Sequence, residues 1–380
     1  MGAGNLTPDI RHLKPDTSDP IDPHAKRQSF LRTEMEEEGL PSLLVTNLTN
    51  IAYLTGFRGS AGIALFTSRE GVLWVDPRYA LQAREQAQGV EVIEERKGLL
   101  EAAAARLKRN KDRRVGHEDT HLTCRDYSLL RKSAGPRVRF LPAAGLVERL
   151  RAVKDEEEVA KIRGAGRITV EVLEKVLKGV RPGVSESDLA AEIEYLMRRK
   201  GGEGAAFETI VASGARAALP HARASRKSLK QNELVIFDLG AILGGYAADM
   251  TRTVYLGEPS RRVCSLYSAV VEAQEKAARS ALPGVRAGDV DKVARRTLAA
   301  RGVARFFTHS TGHGVGMETH EMPRLARGEK ARLQTGHVVT IEPGVYLEGW
   351  GGIRIEDTVL VGPAGPEVLT PAPKDQWILK

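Results

Sequence analysis

Short apolar runs separated by Asn, Gly and Ser occupy the early part of the chain, at residues 43–45, 63–66 and 72–75. This pattern predicts strands joined by turns. Residues 99–107 carry Ala and Leu at helical spacing, so a helix is predicted after the strands. The segment RLRAVKDEEEVAKIR at 149–163 is Gly-free and charged, and it predicts one helix carrying the chain into a second domain. Helices are also predicted over 172–180 and 185–200, the latter opened by Ser185 with acidic residues in its first turn. Beyond Phe207 the pattern becomes glycine-punctuated strands at 234–241, 246–255, 338–341 and 352–361, interrupted by one long helical block at 261–280. Alternating elements followed by segregated ones predict an α/β N-terminal domain at 27–150 and an α+β C-terminal domain at 151–380. Residues 1–26 hold Pro8, Pro15, Pro20 and Pro23 among polar residues without apolar periodicity, and are expected to form a flexible arm.

Length and composition fit this division. A chain of 380 residues is long for a single core, and 42% hydrophobic with 28% charged residues is ordinary for a soluble globular protein. The formal charge of +8 raises a nucleic-acid hypothesis. The basic clusters at 108–114, 131–139 and 223–230 are separated by long mixed-charge stretches and lack interleaved aromatics, so they read as solvated surface and no nucleic-acid partner is expected. No run approaches 18 apolar residues and no apolar segment follows a basic start, so neither a membrane span nor a secretion signal is expected. Cys124 and Cys264 are far apart and form no metal-type pair. The expected location is cytoplasmic.

Two acidic hairpins carry the candidate chemistry. In FDLGAILGGYAADMTRT at 237–253 a reversal at Leu243 and Gly244 sets Asp238 directly opposite Asp249. In IEPGVYLEGWGGIRIED at 341–357 a turn near Gly349 sets Glu342 opposite Glu356. Opposed residues have Cβ atoms about 4.5–5.5 Å apart, so like charges there repel unless a cation lies between them. Between the hairpins lies TGHGVGMETHEMP, with His313 and His320 seven residues apart among glycines that argue against a helix. His313 completes a set of four carboxylates and one imidazole, enough to balance two divalent cations. Hard oxygen donors with one histidine and no thiolate favour Mn²⁺, with Co²⁺, Fe²⁺ or Zn²⁺ as alternatives. Two such ions can activate a water and polarise a carbonyl, which is what metal-assisted hydrolysis requires.

At FDLGA, YAADMTRT, HSTGHGVGMETHEMP, IEPGVY and GGIRIED, in that order, the sequence resembles the pita-bread metallopeptidases: methionine aminopeptidase, prolidase and aminopeptidase P. Residues before 150, including NIAYLTGFRGSAG at 50–62, look like the creatinase-type N-terminal domain of the proline-specific branch. The resemblance implies a creatinase-like first domain and a pita-bread catalytic domain. It implies that Asp238 holds one metal, His313 and Glu342 the other, and that Asp249 and Glu356 bridge them. Glu342 would also take the proton of the attacking water, a metal-bridging hydroxide. His320 would stabilise the tetrahedral oxyanion, and His221 would contact the substrate near the scissile bond. His309, Tyr346 and Arg354 match residues that this branch keeps near the prolyl side of the pocket and the metals. The implied substrates are small Xaa-Pro peptides, and the implied assembly is a homodimer.

A dipeptidase also needs a cation for the prolyl carboxylate. Arg58 in TGFRGS is a candidate clamp, with a solvated loop arginine as the other reading. Xaa-Pro dipeptidase (prolidase) is favoured over aminopeptidase P acting on longer peptides. Methionine aminopeptidase fits less well, because it lacks such a first domain and has a longer insert than the 14-residue interval between Glu342 and Glu356. A non-catalytic pita-bread protein that binds partners is the alternative of a different class, and such relatives usually lose ligands.

Overall fold

The computed structural model describes residues 22–110 and 113–379. They form two compact units, divided between Val147 and Glu148. The first unit begins with α1 (Pro23–Glu37), β1 (Ser42–Val45), α2 (Leu48–Thr55), β2 (Ile63–Thr67) and β3 (Gly71–Val75). It continues with α3 (Ala80–Gln86), β4 (Glu91–Glu94), α4 (Leu99–Arg109), β5 (Arg114–His117), α5 (Cys124–Ala134) and β6 (Arg139–Pro142). The sheet runs β4-β3-β2-β1-β5-β6: an antiparallel meander of β1 to β3 flanked by parallel strands. Its core packs Leu44, Leu65 and Trp74 against Ala103, Leu107 and Leu130, all buried. The predicted α/β character follows from these alternating elements. Residues 23–26, assigned above to a flexible arm, are instead the first turn of α1. Asp22 caps that helix, and Pro23 suits its first position. The rest of the expected arm, residues 1–21, lies outside the described residues.

The single helix expected over 149–163 is two. The first, α6 (Leu146–Ala152), ends, and Val153 forms an isolated antiparallel bridge with His337. Asp155 then starts α7 (Glu156–Leu177) with a capping box. Its carboxylate takes the Glu158 N–H at 2.9 Å, and Glu158 returns to the Asp155 N–H at 3.0 Å. A strong cap in mid-segment outweighs continuous helical patterning, because it satisfies helix N–H groups that otherwise lack partners.

The second unit continues with α8 (Glu186–Arg199), β7 (Gly204–Ala205), β8 (Ile210–Ser213), β9 (Glu233–Leu239), β10 (Ala241–Leu243), β11 (Tyr246–Ala247) and β12 (Met250–Leu256). Then come α9 (Arg261–Ser280), α10 (Ala287–Ala300), β13 (Gly312–Gly314), β14 (Glu321–Leu325) and β15 (Val338–Ile341). The chain closes with β16 (Gly344–Leu347), β17 (Gly351–Arg354), β18 (Asp357–Gly362), β19 (Gly365–Val368) and β20 (Ile378–Leu379). The block predicted at 261–280 is α9, but α10 was not predicted. Val290, Ala294 and Leu298 repeat every fourth residue and are fully buried. Gly288 in the first turn weakens that signal, and it is there because a Cβ would lie 2.7 Å from the Glu329 carbonyl oxygen.

Two larger sheets organise this unit, β20-β12-β9-β8 and β14-β13-β15-β18-β19, beside a three-stranded sheet β11-β10-β7 and the pair β16 and β17. Val172 of α7 and Ile193 of α8 pack on Phe237 and Val254 of the first sheet. Val270 of α9 and Val290 of α10 pack on Ile341 and Val359 of the second. Helices segregated onto mostly antiparallel sheets give the α+β class expected. No helix among the described residues is long and apolar enough to cross a membrane.

The capping box yields a stability prediction. Asp155→Ala should lower stability by about 1 kcal/mol, seen in calorimetry as a fall in the unfolding temperature of the second unit by about 2–4 °C. An unchanged transition would mean that α7 does not depend on this cap.

Candidate metal centre

The first acidic hairpin forms, but in a different register from the one expected. The chain reverses at Gly244 and Gly245, whose φ values of 57° and 76° suit a tight turn that requires left-handed backbone at both central positions. Asp238 therefore pairs with Thr251, not with Asp249. Asp249 lies just before β12, where the chain leaves the β9–β12 ladder, and stands diagonally to Asp238. Gly240 permits this departure, since a Cβ there would be 1.8 Å from the Ala248 carbonyl oxygen.

The second hairpin keeps the expected register. Gly344 pairs with Arg354 in the β16–β17 ladder and Ile341 with Asp357 in the β15–β18 ladder. Glu342 and Glu356 occupy the gap between the two ladders, opposite each other. Freed from that ladder, their backbones bond elsewhere: the Glu342 N–H donates to the Thr311 carbonyl at 2.8 Å and the Glu356 N–H to the Thr251 carbonyl at 3.0 Å. Thr251 also donates its hydroxyl to Glu356 Oε2 at 2.6 Å, and the Thr358 hydroxyl donates to the Asp249 carbonyl at 2.7 Å. These bonds join the two sheets where the acidic residues meet.

His313, on β13, completes the group. Its Nδ1–H donates to the Gly314 carbonyl at 3.0 Å, which leaves Nε2 with a lone pair. Nε2 stands 3.4 Å from Glu342 Oε1 and 3.7 Å from Asp249 Oδ2. Ligand atoms of Asp249, His313 and Glu356 all lie within 4.8 Å of one another. Asp238 accepts from Arg354 Nη2 at 2.5 Å through Oδ2, while its Oδ1 is buried and has no hydrogen-bond partner among the described residues. An orphaned carboxylate oxygen beside three clustered donors fits a divalent cation.

Electrostatics point the same way. Burial, then repulsion from Glu356, Asp238 and Glu342, pushes the Asp249 carboxyl well above its ordinary range. Glu356 is raised by burial and by Glu342 and Asp238. Glu342 is pushed up to about 8, burial being the main cause against the opposing pull of Arg354. Burial lowers His313 to about 4, so its imidazole is neutral at physiological pH, as a ligand must be.

All five residues line one cavity of about 950 Å³, together with His221, His309, His320 and Arg354. The His320 ring lies 4.2 Å from that of His313, centre to centre. Arg354 is buried and fully engaged: besides Asp238 it donates to Tyr346 Oη at 2.9 Å, Thr251 Oγ1 at 3.0 Å and the Pro220 carbonyl at 3.1 Å. Tyr346, expected near the metals, has its Oη 2.9 Å from His309 Nε2 and accepts there from the same Arg354 that bonds Asp238. Arg58 belongs to the first unit, where its N–H donates to Gln86 Oε1. Arg324, Glu208, Arg223 and Phe207 also line the cavity; none was singled out from sequence as a site residue, and Arg223 was read only as part of a solvated basic cluster. For Arg324 the signal was its place four residues after His320, in HEMPR.

The comparisons with known proteins follow this division. Residues 160–363 match the model of metallopeptidase family M24 and residues 27–153 that of the creatinase/prolidase N-terminal domain. An Xaa-Pro dipeptidase of Pyrococcus horikoshii is 35% identical over 338 residues, covering 88% of this chain and 94% of the relative. The structure of an Xaa-Pro dipeptidase from Bacillus anthracis superposes with a TM-score of 0.91 at 36% identity, covering 94% of this chain and 100% of that one. An X-Pro aminopeptidase from Thermotoga maritima gives 0.85 at 36% identity, covering 93% and 99%. With a cluster of acidic and imidazole donors that could hold a divalent cation, the chain belongs to metallopeptidase family M24, as a two-domain member with a creatinase/prolidase N-terminal domain.

Proposed function

We propose that the protein hydrolyses the bond between an N-terminal residue and proline, with dipeptides as preferred substrates. The observation that carries this reading is the convergence of Asp238, Asp249, His313, Glu342 and Glu356 in one cavity that also presents His221, His309 and His320. Asp238 would hold one cation, His313 and Glu342 a second, and Asp249 and Glu356 both. The oxygen-rich set favours Mn²⁺, with Co²⁺, Fe²⁺ or Zn²⁺ as alternatives. When bound, such a pair lowers the pKa of water and polarises a carbonyl.

The chain's own residues do the rest. Glu342 takes the proton of the attacking water and delivers it to the leaving prolyl nitrogen. His320, whose proton affinity burial and the proximity of His221 lower, donates an N–H to the carbonyl oxygen as negative charge develops there. His221 contacts the substrate beside the scissile bond. Both ring nitrogens of His309 are occupied, Nδ1 by the Ser310 carbonyl and Nε2 by Tyr346. Its exposed surface is then carbon and C–H, a wall suited to a pyrrolidine ring that has no N–H to offer. For a dipeptide, the prolyl carboxylate needs a cation. Arg354 is consumed by Asp238, and Arg223 is paired with Glu208 at 3.0 Å. Arg324 is exposed on the same wall with no ion pair among the described residues. It joins Arg58 as a candidate clamp. The likeness to an X-Pro aminopeptidase supports the second reading, action on longer Xaa-Pro peptides. A homodimer and a cytoplasmic location belong to the same proposal.

The activity is tested by release of proline from an Xaa-Pro dipeptide by the Mn²⁺-loaded chain, alongside the same peptide extended by one residue. The dipeptide should have the higher kcat/KM, and Arg324→Ala should remove most of that preference, with Arg58→Ala measured in parallel. Equal rates on both peptides would favour the aminopeptidase, and no hydrolysis with metal bound would favour a binding protein. His320→Ala should lower kcat by about 10²–10³-fold with little change in metal content.

The buried carboxylates yield a prediction in pH. A carboxyl whose pKa is raised on folding stabilises the fold below its ordinary value and loses that contribution as pH climbs through the folded value. In chelator, unfolding measured by calorimetry should therefore show stability falling between pH 4.5 and about 8, and saturating Mn²⁺ should abolish that fall. A flat profile in chelator would mean that the carboxylates are relieved by something other than a cation.

A further inference from the structure

Residues 214–225 connect β8 toward β9 and bring Pro220, His221 and Arg223 to the cavity wall. Apart from the short 3-10 turn Gly214–Ala218 the segment has no regular structure, so much of its shape comes from side-chain bonds. Both of its ends converge on one carboxylate outside the metal centre. Glu186, the first residue of α8, is fully buried. Its Oε1 accepts from the N–H and the hydroxyl of Ser213, each at 2.8 Å. Its Oε2 accepts from Arg216 Nε at 3.0 Å, the Ser225 N–H at 3.1 Å and the Ser225 hydroxyl at 2.6 Å. Ser213 ends β8 at the entry of the segment, and Ser225 is its exit.

Two further sets of bonds reinforce this arrangement. Arg216, fixed by Glu186, donates Nη2 to the Arg223 carbonyl at 2.5 Å, which ties the two sides of the segment together across His221. The start of α8 adds backbone bonds, Glu186 N–H to the Lys227 carbonyl at 3.0 Å and Ser187 N–H to the Ser225 carbonyl at 2.9 Å. These use helix N–H groups that would otherwise lack partners. Burial alone would favour a neutral Glu186, but the bonds from Ser225 and Ser213 and the charge of Arg216 outweigh it and hold the carboxyl below its usual range. A buried carboxylate accepting five hydrogen bonds is strong only while every donor stays in place.

We infer that Glu186 is a positioning residue for the peptidase reaction, pinning both ends of the His221 segment and so fixing the imidazole against the substrate. This inference rests on the role proposed above for His221. Replacing the carboxylate by an amide keeps the shape but leaves donor facing donor, and the segment loosens at both ends together. Glu186→Asp keeps the charge at shorter reach and should restore part of the function.

The test uses the full Mn²⁺-loaded chain. Glu186→Gln should lower kcat/KM on an Xaa-Pro dipeptide about tenfold, with unchanged metal content and with Glu186→Asp intermediate. In a His221→Ala background the same substitution should cost less than about twofold, because residues that act as a unit are not additive. Limited trypsin digestion without substrate should cut Glu186→Gln after Arg223 well before wild type, and this readout does not depend on hydrolysis. If Glu186→Gln does not fold, Ser225→Ala removes one of the five bonds, that of the hydroxyl, while keeping the backbone one, and should show the same pattern at smaller size. Equal losses in both backgrounds, or wild-type trypsin resistance in the variants, would overturn the inference. An inactive wild type would overturn the peptidase reading instead, and the trypsin result would then decide whether Glu186 clamps the segment.

Discussion

The mutual repulsion of four carboxylates in one buried cavity is the constraint to which the rest of the second unit answers. Two unit charges 4 Å apart interact by about 4 kcal/mol at an effective dielectric of 20, against about 1 kcal/mol in water. Protein groups relieve this only in part. Arg354 neutralises Asp238, and the Thr251 hydroxyl supports Glu356, but Asp249, Glu342 and Glu356 all have raised proton affinity. Protons can satisfy these groups one at a time, whereas a divalent cation satisfies several together. The fold therefore holds the carboxylates in place without making the site self-sufficient.

It does so with ladders that stop where the carboxylates begin. The β15–β18 and β16–β17 ladders share one register on either side of Glu342 and Glu356, so a slip in either would have to break both. Within the gap the side chains are free of sheet geometry, while the backbone is tied to Thr311 and Thr251. Close packing supports the neighbouring strands: a Cβ on Gly312 would lie 1.9 Å from the Thr340 carbonyl oxygen, beside His313. Glycine in GHG is thus required by the approach of β15. The two sheets do not need to share strands, because β12 bonds directly to the gap through Thr251 and to β17 through Thr253 and Arg354.

How much of this was legible in the sequence depended on the range of the interaction. Acidic residues recurring in two hairpins could be read from spacing, because each hairpin is local and its turn is marked by glycine. The Glu342–Glu356 register followed from that. The Asp238–Asp249 register did not, because LGGY offers two places to reverse, and only the left-handed φ of both Gly244 and Gly245 decides between them. Helix α10 was hidden by a glycine needed for contact with a distant segment, and the break after α6 by a cap that looks like one more charge in a charged run. Arg354 was legible as a residue type and a position, but not as the partner of Asp238, 116 residues away. Arg324 shows only its place after His320 and Glu186 only its place in an acidic first turn, since their partners or their cavity are assembled only by the tertiary fold.

His309 and His313 show how such long-range bonds divide roles between like residues. They lie four positions apart, both are largely buried, and burial lowers each to about 4. Nothing in the imidazoles themselves distinguishes one with a lone pair open to a cation from one without. The difference lies in hydrogen-bond direction. Arg354 can only donate, so Tyr346 accepts from it and turns its own O–H to His309 Nε2, which leaves the His309 proton on Nδ1 for the Ser310 carbonyl. Nδ1 of His313 likewise donates to a carbonyl, that of Gly314, but its Nε2 meets no donor among the described residues and faces carboxylates. One lone pair is capped by a tyrosine and the other is left for a cation. The same arginine that neutralises Asp238 thus starts the chain of bonds that occupies His309 Nε2, so charge balance among the acidic residues and the proton position on the neighbouring imidazole are set by a single side chain.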